Sequence, residues 1–164
     1  MGTDHRHDVG LSKASTFSAV PGFVGLARRF AVDVAQSNGW RDDFTLGLVV
    51  SELATNAVEA NAVLFTVIVF DPYEDESCRY LLVEVVDDCK TLPAKKQSMP
   101  LVVTGRVPPE RGRGLPLVST LSEEWHPEER DVGKAICVTL KEELHAPARG
   151  GNGCPSARFK PSVA

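Results

Sequence analysis

Several features that would assign this chain of 164 residues to a class directly are missing. Its four cysteines are widely spaced and form no Cys-x-x-Cys pair, which argues against a disulfide framework and against a zinc site. The apolar runs are too short to span a bilayer, and residues 1–18 lack the apolar stretch of a signal peptide. We therefore expect a cytoplasmic protein that does not enter the membrane.

A strong charge of either sign is also missing. The net charge is −4 and the isoelectric point about 5.6, so no field attracts the chain to nucleic acid, and we expect no direct nucleic-acid contact. The composition, 43% hydrophobic and 24% charged, is ordinary for a globular protein and suits one domain. The polar ends predict a disordered leader over residues 1–16, a domain over residues 17–143 and a flexible tail over residues 144–164.

Apolar spacing predicts two helices in the first half of the chain. One begins at Pro21 and ends at Asn38-Gly39. The second is capped by Asp42 or Asp43, and Leu46, Val50, Leu53 and Ala57 form its apolar stripe.

The second half is rich in strands. Residues 62–70 and 80–86 predict neighbouring antiparallel strands, and a long Pro-rich segment follows. Long irregular segments inside compact domains are often functional lids, and we place one at about residues 89–111. A further helix is predicted over residues 114–122, and residues 124–126 and 134–140 predict a closing hairpin.

Glu52 and Asn56 are the most informative pair of residues. They lie four positions apart, so the second helix presents both on one face, away from its apolar stripe. A carboxylate can orient a water or a hydroxyl, while a carboxamide oxygen can ligate a hard metal ion. The alternative is a solvated polar face of an amphipathic helix.

Three further features bear on that choice. Asp87 ends a strand, where its carboxylate could accept a hydrogen bond from an exocyclic amine or could simply face water. Gly112 and Gly114 precede a helix, where backbone N–H groups can bind phosphate, although many such glycines form only turns. Gly133 opens the last strand and, alone, indicates a turn.

In this order and spacing, the four segments resemble the sequence boxes of the GHKL ATP-binding fold, the superfamily that includes gyrase and the histidine kinases. The single-domain anti-sigma-factor serine kinases and related actinobacterial regulators are the most similar branch. The resemblance covers roughly residues 17–142. It implies a two-layer α/β (α+β) sandwich, with helices on one face of a mixed, mostly antiparallel sheet.

The resemblance also implies site roles, with ATP and Mg²⁺ as cofactors. Glu52 would be the general base and Asn56 the Mg²⁺ ligand, while Asp87 would bind the adenine amino group. The expected nucleotide-binding residues are Asn56, Asp87, Cys89, Arg111, Gly112, Arg113, Gly114, Leu115 and Ala135. Cys89 stands where Gly or Ser is usual and should narrow the pocket; Ala135 replaces a Thr whose hydroxyl could support Asp87. Both changes are expected to weaken nucleotide affinity without removing the site.

Two functions follow as expectations. The first is a serine/threonine protein kinase that regulates transcription by partner switching. It would phosphorylate a small STAS-type antagonist, which in its unphosphorylated form displaces a sigma factor or another client. The second is a non-catalytic regulatory module that acts by protein binding alone. A stand-alone ATPase or a histidine kinase module is less well supported, because the sequence shows no phosphoacceptor helix pair. The resemblance leaves room for a homodimer.

Overall fold

The computed structural model describes residues 11–90 and 114–144. Within these ranges the strands are β1 (Ser12–Ser18), β2 (Leu64–Phe70), β3 (Tyr73–Glu74), β4 (Cys78–Asp87), β5 (Glu124–Glu129) and β6 (Lys134–Glu143), and the helices are α1 (Pro21–Ser37), α2 (Asp43–Glu59) and α3 (Gly114–Leu121). No helix in these ranges is long and apolar enough to cross a membrane.

Helices α1 and α2 form where the apolar spacing predicted them. Proline at the first position of α1 fixes a helical φ and removes an N–H that would have no partner. Asp42, rather than Asp43, caps α2, since its Oδ1 accepts a hydrogen bond of 3.0 Å from the backbone N–H of Thr45. The whole predicted stripe of α2 is buried, so the prediction of this helix and its inward face is confirmed: Leu46, Val50, Leu53 and Ala57.

The strands form one sheet in the order β1-β2-β4-β6-β5, and β3 pairs with β4 beside this path. Side chains alternate across it, so Val67, Val83 and Val138 face the core. The predicted fold class, an α+β fold with a mostly antiparallel sheet, is confirmed. All strand pairs in the described ranges are antiparallel, so the mixed pairing that the resemblance implied is not seen there.

The predicted N-terminal leader is wrong for residues 12–16. These residues lie in β1, which pairs antiparallel with β2 at the edge of the sheet. Phe17 anchors the strand, because its ring stacks on Phe65 at a centroid distance of 5.5 Å and meets Phe30 edge-on at 6.2 Å. Most of the other side chains of β1 are exposed, so the segment carries no apolar alternation by which it could be recognised.

Several strand boundaries also differ from the predictions: β4 spans Cys78–Asp87 rather than residues 80–86, and β6 extends to Glu143 rather than to residue 140. Strand β2 begins at Leu64 rather than at residue 62. Strand β5 does not end at residue 126 but continues through Pro127 as far as Glu129. Proline is tolerated there because β5 is an edge strand, where a missing N–H does not break a ladder on both sides.

Candidate functional site

Asp87 ends β4 on the face of the sheet that packs against the helices. Its side chain is 5% exposed, so the carboxylate is buried and does not simply face water. The Oδ1 atom accepts a hydrogen bond of 2.9 Å from the backbone N–H of Cys89. A buried carboxylate needs such partners, because an uncompensated charge away from water is very costly.

Lys134 supplies the opposite charge. Antiparallel pairing of β4 and β6 puts it directly across from Asp87, and its Nζ lies 2.9 Å from Asp87 Oδ1. Nζ also donates to the carbonyl oxygen of Cys89 at 3.2 Å. Removing either partner of such a buried pair leaves a single buried charge, at a typical cost of about 3–5 kcal/mol. The pair therefore holds the end of β4 to the start of β6.

Gly133 makes this register possible. Its φ is +79°, a conformation that L side chains rarely adopt, and a Cβ atom built there would lie 1.8 Å from the carbonyl oxygen of Asp87. The glycine thus does more than open a turn. It lets the turn before β6 press against the backbone at the end of β4.

Asp88 and Cys89 complete this corner. The Oδ1 of Asp88 accepts a hydrogen bond of 2.9 Å from the backbone N–H of Val63, in the connection between α2 and β2. Asp88 therefore joins the end of β4 to the segment that follows α2. Cys89 contacts Asp87 and Lys134 through its backbone, so these two contacts do not depend on the thiol.

Glu52 and Asn56 lie on the side of α2 that faces away from α1. Gly47 lies on the side of α2 that faces α1, since a Cβ atom built there would lie 3.3 Å from the side chain of Arg28. Glu52 is about 140° further around the helix from Gly47. Both polar side chains are half-buried. Within the described ranges, neither side chain is hydrogen-bonded to another part of the chain.

Three parts of the site converge at one end of the sheet. Asn56 is in the last turn of α2, and the chain then enters β2, whose Phe65 pairs with Asp87. Helix α3 packs against β5, since the indole N–H of Trp125 donates to Ser119 Oγ at 2.6 Å. Only residues 122–123 separate α3 from β5, so the chain reverses between them. The start of α3 therefore points to the end of the sheet that holds Asp87.

The other expected nucleotide-binding residues divide into three groups. Gly114 and Leu115 open α3, and Leu115 packs partly against the core. Ala135 pairs with Val86, so its side chain points to the face of the sheet opposite Asp87, and the structure does not bring the two side chains together. Arg111, Gly112 and Arg113 lie outside the described residues, as does the expected lid apart from residues 89 and 90.

The chemistry of Asn56 and of the start of α3 suits a magnesium nucleotide. A half-buried carboxamide is a suitable oxygen ligand for Mg²⁺, which commonly takes only one or two protein ligands and completes its shell with phosphates and water. Among the described residues, no cluster of three or more His, Cys, Asp or Glu that could hold a metal ion is found. The N–H groups in the first turn of a helix have no partner within the helix, so the first turn of α3 can bind anionic oxygens.

Comparison with known proteins identifies the family of the chain. The model of the histidine kinase-like ATPase domain matches residues 17–140. The chain therefore belongs to this family, whose domains bind ATP, and its resemblance to the GHKL fold is confirmed. A search of curated proteins returned no significant match.

Sequence reasoning missed Lys134 as a partner of Asp87 and named its neighbour Ala135 instead. A signal was present, because Asp87 ends one predicted strand and Lys134 begins another. Register decides which of two adjacent residues faces the site, and a shift by one position moves every side chain to the opposite face. That register became visible only in the paired strands.

Replacing Gly133 by alanine should disturb the site at its base. The added Cβ would collide with the Asp87 carbonyl, and alanine would be strained at a φ of +79°. We therefore expect a loss of about 2 kcal/mol or more in the free energy of unfolding, measured by urea denaturation. Gly25→Ala is the matched control. It lies in α1 with nothing within 4 Å of the new methyl group, and it should stabilise the protein by about 0.5–1 kcal/mol. Equal effects from the two substitutions would contradict the close approach.

Proposed function

We propose that this protein is a cytoplasmic serine/threonine kinase of the anti-sigma-factor type, which uses Mg-ATP to phosphorylate a STAS-type antagonist and so controls a sigma factor or another client by partner switching. The observation that carries the proposal is the convergence of Asn56, Asp87 and the start of α3 at one end of the sheet. Together they offer a metal ligand, an acceptor for an amine and donors for phosphate.

Each residue has a separate task in this proposal. Bound Mg-ATP supplies the γ-phosphoryl group. The Asn56 carboxamide oxygen would ligate the metal, and the Asp87 carboxylate would accept a hydrogen bond from the adenine amino group. The first N–H groups of α3 would donate to phosphate oxygens. Glu52 orients the serine hydroxyl and takes its proton. At the same time the serine oxygen forms a bond to the γ-phosphorus, and the bond from that phosphorus to the oxygen of the leaving ADP breaks.

The protein substrate needs a docking surface beside Glu52. A groove of about 590 Å³ lies between α1 and α2 and is lined mainly by apolar atoms. Phe44 is 78% exposed there, and Leu48 lies one helical turn before Glu52. Arg28 and Arg29 line the same groove, as do Asp33 and Asp43, and neither arginine has an ion-pair partner in the described ranges. We propose that it binds an apolar segment of the antagonist that carries acidic side chains.

A second candidate function is a non-catalytic regulator that binds a nucleotide and a protein partner. One observation favours it: no hydrogen bond from the described part of the chain orients the Glu52 carboxylate. A general base is usually held in place by its surroundings, and within the described residues the Glu52 carboxylate has no such contact.

Calorimetric titration with ATP, with and without Mg²⁺, tests the nucleotide site. The wild type should bind ATP. Asp87→Asn should bind ATP about 10-fold or more weakly, because a charged hydrogen-bond acceptor is replaced by a neutral one. In Asn56→Ala, Mg²⁺ should no longer increase the affinity for ATP. Asp33→Asn, an exposed position on α1, should bind as the wild type does. No wild-type binding at millimolar ATP would refute the nucleotide function.

Transfer of labelled γ-phosphate to candidate STAS-type antagonists separates the two functions. Glu52→Gln should lower the transfer rate by about 10²–10⁴-fold and leave ATP affinity unchanged, because a base acts in the transition state. Glu59→Gln is the control, since Glu59 lies on the same side of α2 seven residues further on. ATP binding without transfer to any antagonist would support the regulator instead.

Charge reversal tests the docking groove. The double substitution of Arg28 and Arg29 by Glu should weaken binding of the antagonist by about 10-fold or more in a calorimetric titration, because it places like charges opposite acidic side chains. ATP affinity should not change, since both arginines lie on the α1 side of α2. Arg41→Glu, an exposed position outside the groove, serves as the control. Unchanged antagonist affinity would exclude this surface.

A further inference from the structure

Lys134 is a buried cation to which the functions above assign no role. Its side chain is 7% exposed, and Lys134 and Asp87 are the two charged residues that are buried in the described part of the chain. A lysine ammonium has three N–H donors and no acceptor. The hydrogen bonds to Asp87 Oδ1 and to the Cys89 carbonyl use two of them. Within the described residues, the third donor has no protein acceptor, and we assign it to a ligand at this position.

The donor and the acceptor are held side by side. Asp87 and Lys134 are directly paired residues of β4 and β6, and their side chains project to the same face of the sheet. The close approach of Gly133 to the Asp87 backbone fixes this register. When an amino group of a ligand donates a hydrogen bond to Asp87, the ligand atom next to that amino group therefore faces Lys134.

Adenine has the complementary pattern on one edge. Its 6-amino group is a donor, and the neighbouring ring nitrogen N1 is an acceptor. Guanine carries the opposite pattern, with a carbonyl oxygen at position 6 and an N–H at position 1. An acceptor beside a donor in the protein thus suits adenine, whereas guanine in the same orientation would face like groups at both positions.

We propose that Lys134 is a specificity-determining residue of the nucleotide site: it donates to adenine N1 while Asp87 accepts from the 6-amino group. This role rests on the proposed nucleotide function. It also gives a reason for a buried ion pair at this position, since an apolar pair of similar volume would hold the two strands as well or better.

The test removes the acceptor from the ligand rather than from the protein. Calorimetry compares ATP with 1-deaza-ATP, in which N1 is replaced by C–H, and with 7-deaza-ATP, which is altered on the other side of the base. The wild type should bind 1-deaza-ATP about 10-fold or more weakly than ATP, because a hydrogen bond to a charged donor is lost. It should bind 7-deaza-ATP as it binds ATP.

Lys134→Met supplies the protein side of the comparison. This variant should bind ATP and 1-deaza-ATP equally, both more weakly than the wild type binds ATP. Since it leaves Asp87 buried without a cation, its folding is checked by circular dichroism and thermal unfolding. If this variant does not fold, the double variant Lys134→Met with Asp87→Asn takes its place, because it buries no charged side chain at either position. The double variant should also bind ATP and 1-deaza-ATP equally.

The outcomes separate this role from the function on which it rests. Equal binding of ATP and 1-deaza-ATP by the wild type would overturn the role of Lys134 and leave the nucleotide site intact. A preference for ATP that survives in the Lys134 variants would overturn it as well. Failure of the wild type to bind any of the three nucleotides would overturn both the role and the nucleotide function.

Discussion

The contact between the end of β4 and the turn before β6 is the constraint on which the rest of the site depends. The Asp87 carbonyl lies so close to the Cα atom of Gly133 that no side chain fits at that position. The ion pair from Lys134 to Asp87 then joins the same two strands through their side chains. Both strands lie inside the sheet rather than at its edge, so the carboxylate is held by packing on either side.

Helix α2 connects this corner to the proposed chemistry. Its buried stripe fixes its rotation, which leaves Glu52 and Asn56 half-buried and turned away from α1. Its other exposed side lines the groove with α1, and Leu48 lies one turn from Glu52. One helix thereby presents a metal ligand, a candidate base and part of a docking surface. Because all three share one rigid element, their relative positions do not depend on loop conformation.

Much of this arrangement was predictable from local sequence. The spacing of apolar residues located α1 and α2, Asp42 was among the predicted caps, and the β-rich runs located β2 and β4. The family could be recognised because its boxes combine local residue types in a fixed order. Family membership is confirmed, whereas the site roles assigned to Glu52 and Asn56 stay predictions.

What could not be predicted depends on contacts between distant parts of the chain. Strand β1 has little apolar pattern of its own and is defined by its pairing with β2. The burial of Asp87 and its partner Lys134 follow from strand register, which no local pattern specifies. The same register turns Ala135 away from the carboxylate that it was expected to support. In each case the decisive information is which residues face each other.

The most direct test of this account is a crystal structure of the protein with Mg²⁺ and a non-hydrolysable ATP analogue. The account predicts the adenine amino group on the Asp87 carboxylate, the phosphates at the start of α3 and the metal on the Asn56 side chain. A nucleotide bound elsewhere, with Asp87 and Lys134 still closed off from it, would contradict the account.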